Sequence, residues 1–491
     1  MSLAKYGAAL LLMLGSGAIG IGCASILDLP DDRRYVAAGD GGNLSNEAGL
    51  GNPCPDGKVK VRILIDLTGA TAFEGVPFYY GEYDYLRELN GKGGIAGRCP
   101  IEIEAQDYAY SVPKAREIYE GWKKAPDWDK VVTVFGWGTG DSVELAPAVK
   151  ADRKPFLSAS YIGFLGAPEE TNHEISIPEL GPQFNDAFFP TKFSSEGFPF
   201  NFYAGTDYST GARIAMFHIK LLGGKRVGHF YCTQLYCKGP IPAAREYAKR
   251  QGLELGRDLT LELTYDQVRY DADVRSYFQQ EKDHKLANPT YQIVDWIWMG
   301  NTSKTTAYLA NSIANIVNKP EAQGGLGLDV QIMVNNWGFD EDLYARCPGA
   351  CADIVHGIMP FVAYGDGRAA SMAKLTQLHD KWRALDAQDG GGEKSYRNVR
   401  YVQGYVNAMM FEIAAERVVA AGKTITGESI KEALETFQNV DTGGLTDKLN
   451  FSPTDHRPQS NESIYKFDAT GKMVNEPPDR RIVLESSWLG W

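Results

Sequence analysis

The feature that most constrains this chain is an alternation that begins at residue 59 and persists to residue 360. Apolar runs at 59–67, 101–105, 131–135 and 155–160 alternate with stretches of helical length at 79–89, 112–124 and 143–151. Strands buried on both faces read as nearly continuous apolar runs rather than as alternation. The order strand, helix, strand therefore predicts a mainly parallel sheet covered on both sides. A second series places strands at 200–204, 226–231, 260–264, 293–299 and 330–334, with helices at 211–222, 243–250, 274–282 and 304–317. A third stretch has one strand at 354–360, then helices at 368–385, 401–421 and 427–437. The tail, 448–484, reads as short hairpin pieces punctuated by Pro453, Pro458, Pro477 and Pro478. No short repeat is visible.

Composition narrows the class. The chain has 491 residues, 44% hydrophobic and 23% charged, which excludes a disordered, collagen-like or polytopic membrane chain. The length suits two or three domains. The 50 Lys and Arg against 62 Asp and Glu give a formal charge of −12, which argues against nucleic acid as the partner.

The amino terminus points to export. One lysine, Lys5, precedes an uncharged stretch from Gly7 to Ser25, and Asp28, Asp31 and Asp32 follow at once. The apolar part is at the short end for spanning a bilayer and has the profile of a signal peptide. Gly20-Ile21-Gly22-Cys23 resembles the lipobox of bacterial lipoproteins, with Gly20 where a leucine is usual. That resemblance implies cleavage after residue 22 and a lipid on Cys23; the alternative is an ordinary cleaved signal. Cleavage removes one lysine and leaves a formal charge of −13. Residues 23–58 are rich in Gly, Asn and Asp and read as a flexible tether.

Cysteine usage agrees. Of seven cysteines, assigning Cys23 to lipid leaves six, enough for three disulfides in an oxidising compartment. Cys232 with Cys237 and Cys347 with Cys351 are local pairs, which leaves Cys54 for Cys99. The competing reading is a four-thiolate zinc site, which the spacings disfavour.

At Ile65-Asp66-Leu67-Thr68-Gly69 and Leu89-Asn-Gly-Lys-Gly-Gly-Ile-Ala-Gly97 the chain resembles a family. It is similar to the type I periplasmic substrate-binding proteins of branched-chain amino-acid ABC importers, such as the Leu/Ile/Val-binding protein. The resemblance continues through 105–115, Phe135-Gly-Trp-Gly-Thr-Gly-Asp-Ser142, 156–160, Tyr401-Val-Gln-Gly-Tyr405 and Thr442-Gly-Gly-Leu. It implies two doubly wound, Rossmann-like α/β lobes, joined by a hinge of three crossovers and closing on a ligand. The expected crossovers lie near 200–207, 335–338 and 441–451. Lobe I is then 59–201 plus 338–445, and lobe II is 202–337 plus 446–488.

Ligands of open parallel sheets bind beyond the carboxyl ends of the strands. In lobe I the richest turn there is Gly136-Trp137-Gly138-Thr139-Gly140-Asp141-Ser142. Its glycines let backbone approach a ligand, and the N–H groups of the helix it opens suit a carboxylate. Thr139 and Ser142 add hydroxyls, and Trp137 offers a stacking surface. The G-x-G-x-G spacing departs from the dinucleotide fingerprint. The resemblance adds Ser158, Ser160 and Tyr161 from the next turn, and Glu74 where relatives often place an aromatic wall. From lobe II it adds Asp207, Tyr208, Tyr236, Asn301, Thr302 and Lys304. A Cys232–Cys237 disulfide would pre-set the Tyr236 ring. Tyr405 suits either the cleft or the core of its helix. Amino-acid binders usually carry an acidic residue in the turn after 293–299, where this chain has Lys304. That departure brings aromatic or aliphatic carboxylates level with amino acids as ligands, with Glu74 or Asp207 left for an ammonium.

Catalysis is not indicated: H-E-x-x-H, G-x-S-x-G and paired carboxylates are missing. His173-Glu174 is isolated, His456 reads as structural, and seven histidines show no metal-ligand spacing. The expectation is a monomeric lipoprotein, without cofactor or metal, that hands a small carboxylate-bearing solute to an ABC permease. The alternative is a sensory module of the same fold.

Overall fold

A computed structural model of the chain describes residues 53–54, 56–166, 198–388, 396–476 and 481–483. The signal segment, Cys23, most of the tether and His173-Glu174 lie outside these residues.

Two sheets carry the architecture. The first joins β1 (Val59–Ile65), β2 (Ile101–Asp107), β3 (Val131–Gly136), β4 (Phe156–Ser158) and β5 (Asn201–Phe202) in the order β2-β1-β3-β4-β5, all parallel. The second joins five parallel strands: β6 (Arg226–Tyr231), β7 (Glu254–Thr260), β8 (Trp296–Gly300), β9 (Gln331–Val334) and β10 (Val355–Met359). Antiparallel β11 (Asn461–Phe467), β12 (Met473–Asn475) and β13 (Arg481–Val483) complete it, with β12-β11-β10-β9-β8-β6-β7 as the main order and β13 on β11. Every residue of β3 and β8 is buried, as strands covered on both faces require.

On the first sheet, α1 (Ala72–Gly91) packs along the helix Val399–Ala420. Their backbones touch at Gly404, where a Cβ would meet the Phe78 carbonyl oxygen at 1.9 Å, so any larger residue would force the helices apart. The other helices used below are α2 (Val112–Lys123) and α3 (Thr139–Asp152). Among the described residues no helix is long and apolar enough to cross a membrane.

The structure corrects the expected assignment of strand 354–360 to the first lobe. As β10 it pairs in parallel with β9 and antiparallel with β11, so it belongs to the second sheet. The short helix Pro348–Ile354, held by the Cys347–Cys351 disulfide, returns the chain beside β9. The middle crossover therefore lies near Pro360–Val362, not at 335–338. There Phe361 bridges Thr446, Thr446 Oγ1 donates to the Pro360 carbonyl at 2.7 Å, and the Val362 amide donates to Leu445 O at 3.0 Å. Helix α1 starts seven residues ahead of the expected 79, because Asp66 organises the preceding turn: it accepts from the Thr71 amide and hydroxyl at 2.9 and 2.8 Å. Strand β7 occupies 254–260 rather than 260–264, since an edge strand needs little apolar sequence and β7 is mostly solvated.

Cys54–Cys99, Cys232–Cys237 and Cys347–Cys351 are disulfides, with Cα separations of 6.0, 5.3 and 5.3 Å. His456 is structural: its ring stacks on Phe202 at 4.0 Å, and its nitrogens face Asn201 O at 2.9 Å and Glu435 Oε1 at 3.2 Å.

Candidate functional site

A narrow cleft lies between the sheets. It is lined by Thr71, Glu74, Tyr110, Trp137, Gly138, Thr139 and Ala159 on one side and by Tyr208, Tyr236, Thr302 and Trp337 on the other. Each of these residues follows a parallel strand, so the cleft sits where the carboxyl ends of both sheets face each other.

The first wall is built outward from β1. With Asp66 holding it, the Thr71 hydroxyl is placed to accept from Trp137 Nε1 at 2.9 Å, which fixes the indole after β3. Gly138 is the cap residue of α3, and a Cβ there would lie 2.4 Å from Asp141 Oδ1 and 2.5 Å from the Tyr108 hydroxyl. Asp141 is buried, and its Oδ1 accepts from the Tyr108 hydroxyl at 2.7 Å. Burial raises its carboxyl to about 7, and the Tyr108 hydrogen bond opposes the rise. The first turn of α3 thus carries a buried carboxyl of its own beside Gly138 and Thr139, which line the cleft. Ser142 is turned away, donating to the Gly138 carbonyl at 2.5 Å. Ala109 and Tyr110 both have positive φ, at 51° and 56°, a left-handed conformation that non-glycine residues avoid. That strain aims the Tyr110 ring into the cleft.

The second wall closes on the first through direct bonds. The Tyr208 amide donates to Tyr161 O at 2.7 Å, and its hydroxyl accepts from Trp337 Nε1 at 2.9 Å and lies 3.5 Å from Thr139 Oγ1. Trp337 stacks on Tyr161, with centroids 5.6 Å apart, and meets Trp137 edge-on at 5.1 Å. Behind it the fully buried Arg400 donates to the carbonyls of Asn336, Trp337 and Phe339 at 2.7, 3.0 and 3.0 Å, and to Asp340 at 3.4 Å. Tyr236 is buried beside its disulfide, and its hydroxyl has no hydrogen-bond partner among the described residues. Glu74 Oε1 accepts from the amide and hydroxyl of Ser303, both at 3.2 Å, at the start of the helix Ser303–Ser312. Burial raises the Glu74 carboxyl to about 8, with Asp340 adding to the rise and Arg400 opposing it.

Seven of the residues singled out in the sequence line the cleft: Glu74, Trp137, Gly138, Thr139, Tyr208, Tyr236 and Thr302. Ser158, Ser160 and Tyr161 form the layer behind it, where Ser160 Oγ donates to Thr139 Oγ1 at 3.1 Å. Asp207 is spent as a helix cap on the Thr210 amide at 2.9 Å, and Asn301 bonds Leu261 O at 2.8 Å. Lys304 is exposed, with its ammonium over the Tyr308 ring at 6.0 Å, and so brings no positive charge to the cleft. Tyr405 is core, packed edge-on against Tyr85 at 4.6 Å. Sequence reasoning missed Thr71, Tyr110, Ala159, Trp337 and the supporting Arg400. The signal for Trp337 was present, a tryptophan followed by glycine just past a strand, but that segment reads equally well as a crossover.

Fold and cleft together define a two-lobed α/β solute-binding protein of type I. A model of the periplasmic binding protein family matches residues 58–472, most of the chain, and the chain belongs to that family. Its fold resembles the ABC transporter substrate-binding protein of Aeropyrum pernix at 24% identity, covering 88% of this chain and 98% of that one, with a TM-score of 0.67. It also resembles a fatty acid ABC transporter substrate-binding protein from Thermomonospora curvata (20% identity, 90% and 96% covered, TM-score 0.67). A third is a branched-chain amino acid ABC transporter protein from Thermus thermophilus with bound valine (18%, 88% and 97%, 0.66). No curated protein sequence matches the chain.

Proposed function

We propose that the chain is the solute-capturing component of an ABC importer and takes a small ammonium-bearing solute, an amino acid with an apolar or aromatic side chain. The observation that carries this is a single carboxyl in the cleft, which an ammonium can ionise. Glu74 carries the one carboxyl among its lining residues, and the other side chains that line it are mostly tyrosine, tryptophan and threonine. An ammonium would pair with Glu74, the rings would cover an apolar body, and the hydroxyls of Thr139 and Tyr236 would meet a carboxylate. The cleft is narrow and walled by rings, which suits a compact solute. The printed ligand of the Thermus relative, valine, is of this class.

In this reading the three disulfides belong to an extracytoplasmic compartment, the lipid on Cys23 holds a monomer at a membrane, and a permease receives the solute. The test is a matched set of ligands: phenylalanine, its deaminated acid and its decarboxylated amine, with valine and isoleucine beside them. Calorimetric titration is expected to show that losing the amino group weakens binding more than losing the carboxylate. An acid that binds as tightly as its amino acid would refute the assignment to Glu74.

A further inference from the structure

His218, His356 and Glu476 are far apart in sequence and come from three different elements of the second lobe. His218 is in the last turn of the helix Tyr208–Leu221, and His356 is near the amino end of β10. Glu476 directly follows β12 and is pinned by its own amide to Ile464 O at 2.9 Å. His218 Nε2 and His356 Nδ1 approach the same oxygen, Glu476 Oε2, at 2.8 and 2.9 Å. One ligating atom from each residue lies within 4.8 Å of the others. The side chains are 7–12% exposed, so an ion can reach them from solvent. Their elements are held independently, by sheet pairing and by a helix packed on it.

We propose that these three residues form a site for one divalent transition-metal ion of the zinc class. Two imidazoles and one carboxylate make a common three-ligand zinc set, with water in the fourth position. At bond lengths near 2.0–2.1 Å, tetrahedral ligands stand about 3.3 Å apart. The two short contacts therefore open by less than about half an ångström to admit an ion. The site lies near the amino end of β10, away from the cleft at the carboxyl ends. It ties the carboxyl-terminal strands to the body of the lobe and does not touch the solute.

The test uses the exported chain, stripped with EDTA and dialysed. Zinc is titrated against a competing chelator, and cobalt(II) is read by its visible absorption. The wild type is expected to take up one ion, to melt at a higher temperature with zinc than with EDTA, and to show the intense bands of four-coordinate cobalt. His218→Gln and His356→Gln should each lower zinc affinity roughly a hundredfold and abolish the cobalt bands, while His284→Gln, an exposed histidine elsewhere, changes neither. Failure of the wild type to bind zinc below millimolar concentration would overturn the proposal without any variant. Binding that survives both substitutions, or a weak six-coordinate cobalt spectrum, would overturn it as well.

Discussion

Glu74→Gln separates the charge of the ligand from everything else in the cleft. The native carboxyl is raised to about 8 from a usual value near 4.5, so the closed protein holds a proton there that the unfolded chain releases. A raised carboxyl destabilises as pH rises: between about pH 4.5 and 8 the folded state loses up to about 5 kcal/mol, of which about 3 is gone by pH 7. Glutamine keeps the shape and the hydrogen bond to Ser303 and removes that loss, so the substitution should flatten the fall of melting temperature over this range. The binding consequence is sharper. At pH 7 a group near 8 is about nine-tenths protonated. An ammonium that pairs with Glu74 must expel that proton, whereas a deaminated acid finds the neutral carboxyl compatible and expels none. Titrating the amino ligand calorimetrically at pH 7 in buffers of different ionisation enthalpy should therefore show release of close to one proton by wild type, and almost none by Glu74→Gln. A wild-type enthalpy independent of buffer, or equal release by the variant, would refute the pairing.

Three further substitutions probe the cleft and its support. Trp337→Ala removes a buried indole, its bond to Tyr208 and two ring contacts, and should cost about 3–5 kcal/mol in urea unfolding as well as weakening solute binding. Tyr236→Phe deletes a hydroxyl that has no partner among the described residues, so the melting temperature should hold while affinity falls about tenfold; equal losses in both would show that the hydroxyl serves the fold. Arg400→Met strands the carbonyls of Asn336, Trp337 and Phe339 and leaves Asp340 without its cation, and should cost about 3–5 kcal/mol by denaturant titration. A fully stable Arg400→Met variant would remove it from its role behind Trp337.

The parallel strands were legible because burial on both faces writes itself as a one-dimensional run, and β1, β3 and β8 sit where the apolar runs are. The disulfides were legible because two pairs are nearly adjacent and the third follows by exclusion. Position relative to a strand end also travels well, so Trp137, Thr139, Tyr236 and Thr302 reach the cleft. Which way a side chain is satisfied does not travel. Ser142, Asp207 and Asn301 stand at the right strand ends, yet each meets a backbone partner close to its own turn or next to it in the fold. Asp141 is another case: an acidic residue two places into a glycine-rich helix start looks like a bystander in sequence, but folded it is buried and accepts from the Tyr108 hydroxyl. With the lysine in solvent, Glu74 is the carboxyl left in the cleft, and of the two ligand classes the sequence held level, amino acids and organic acids, it favours in the proposed reading the ammonium-bearing one.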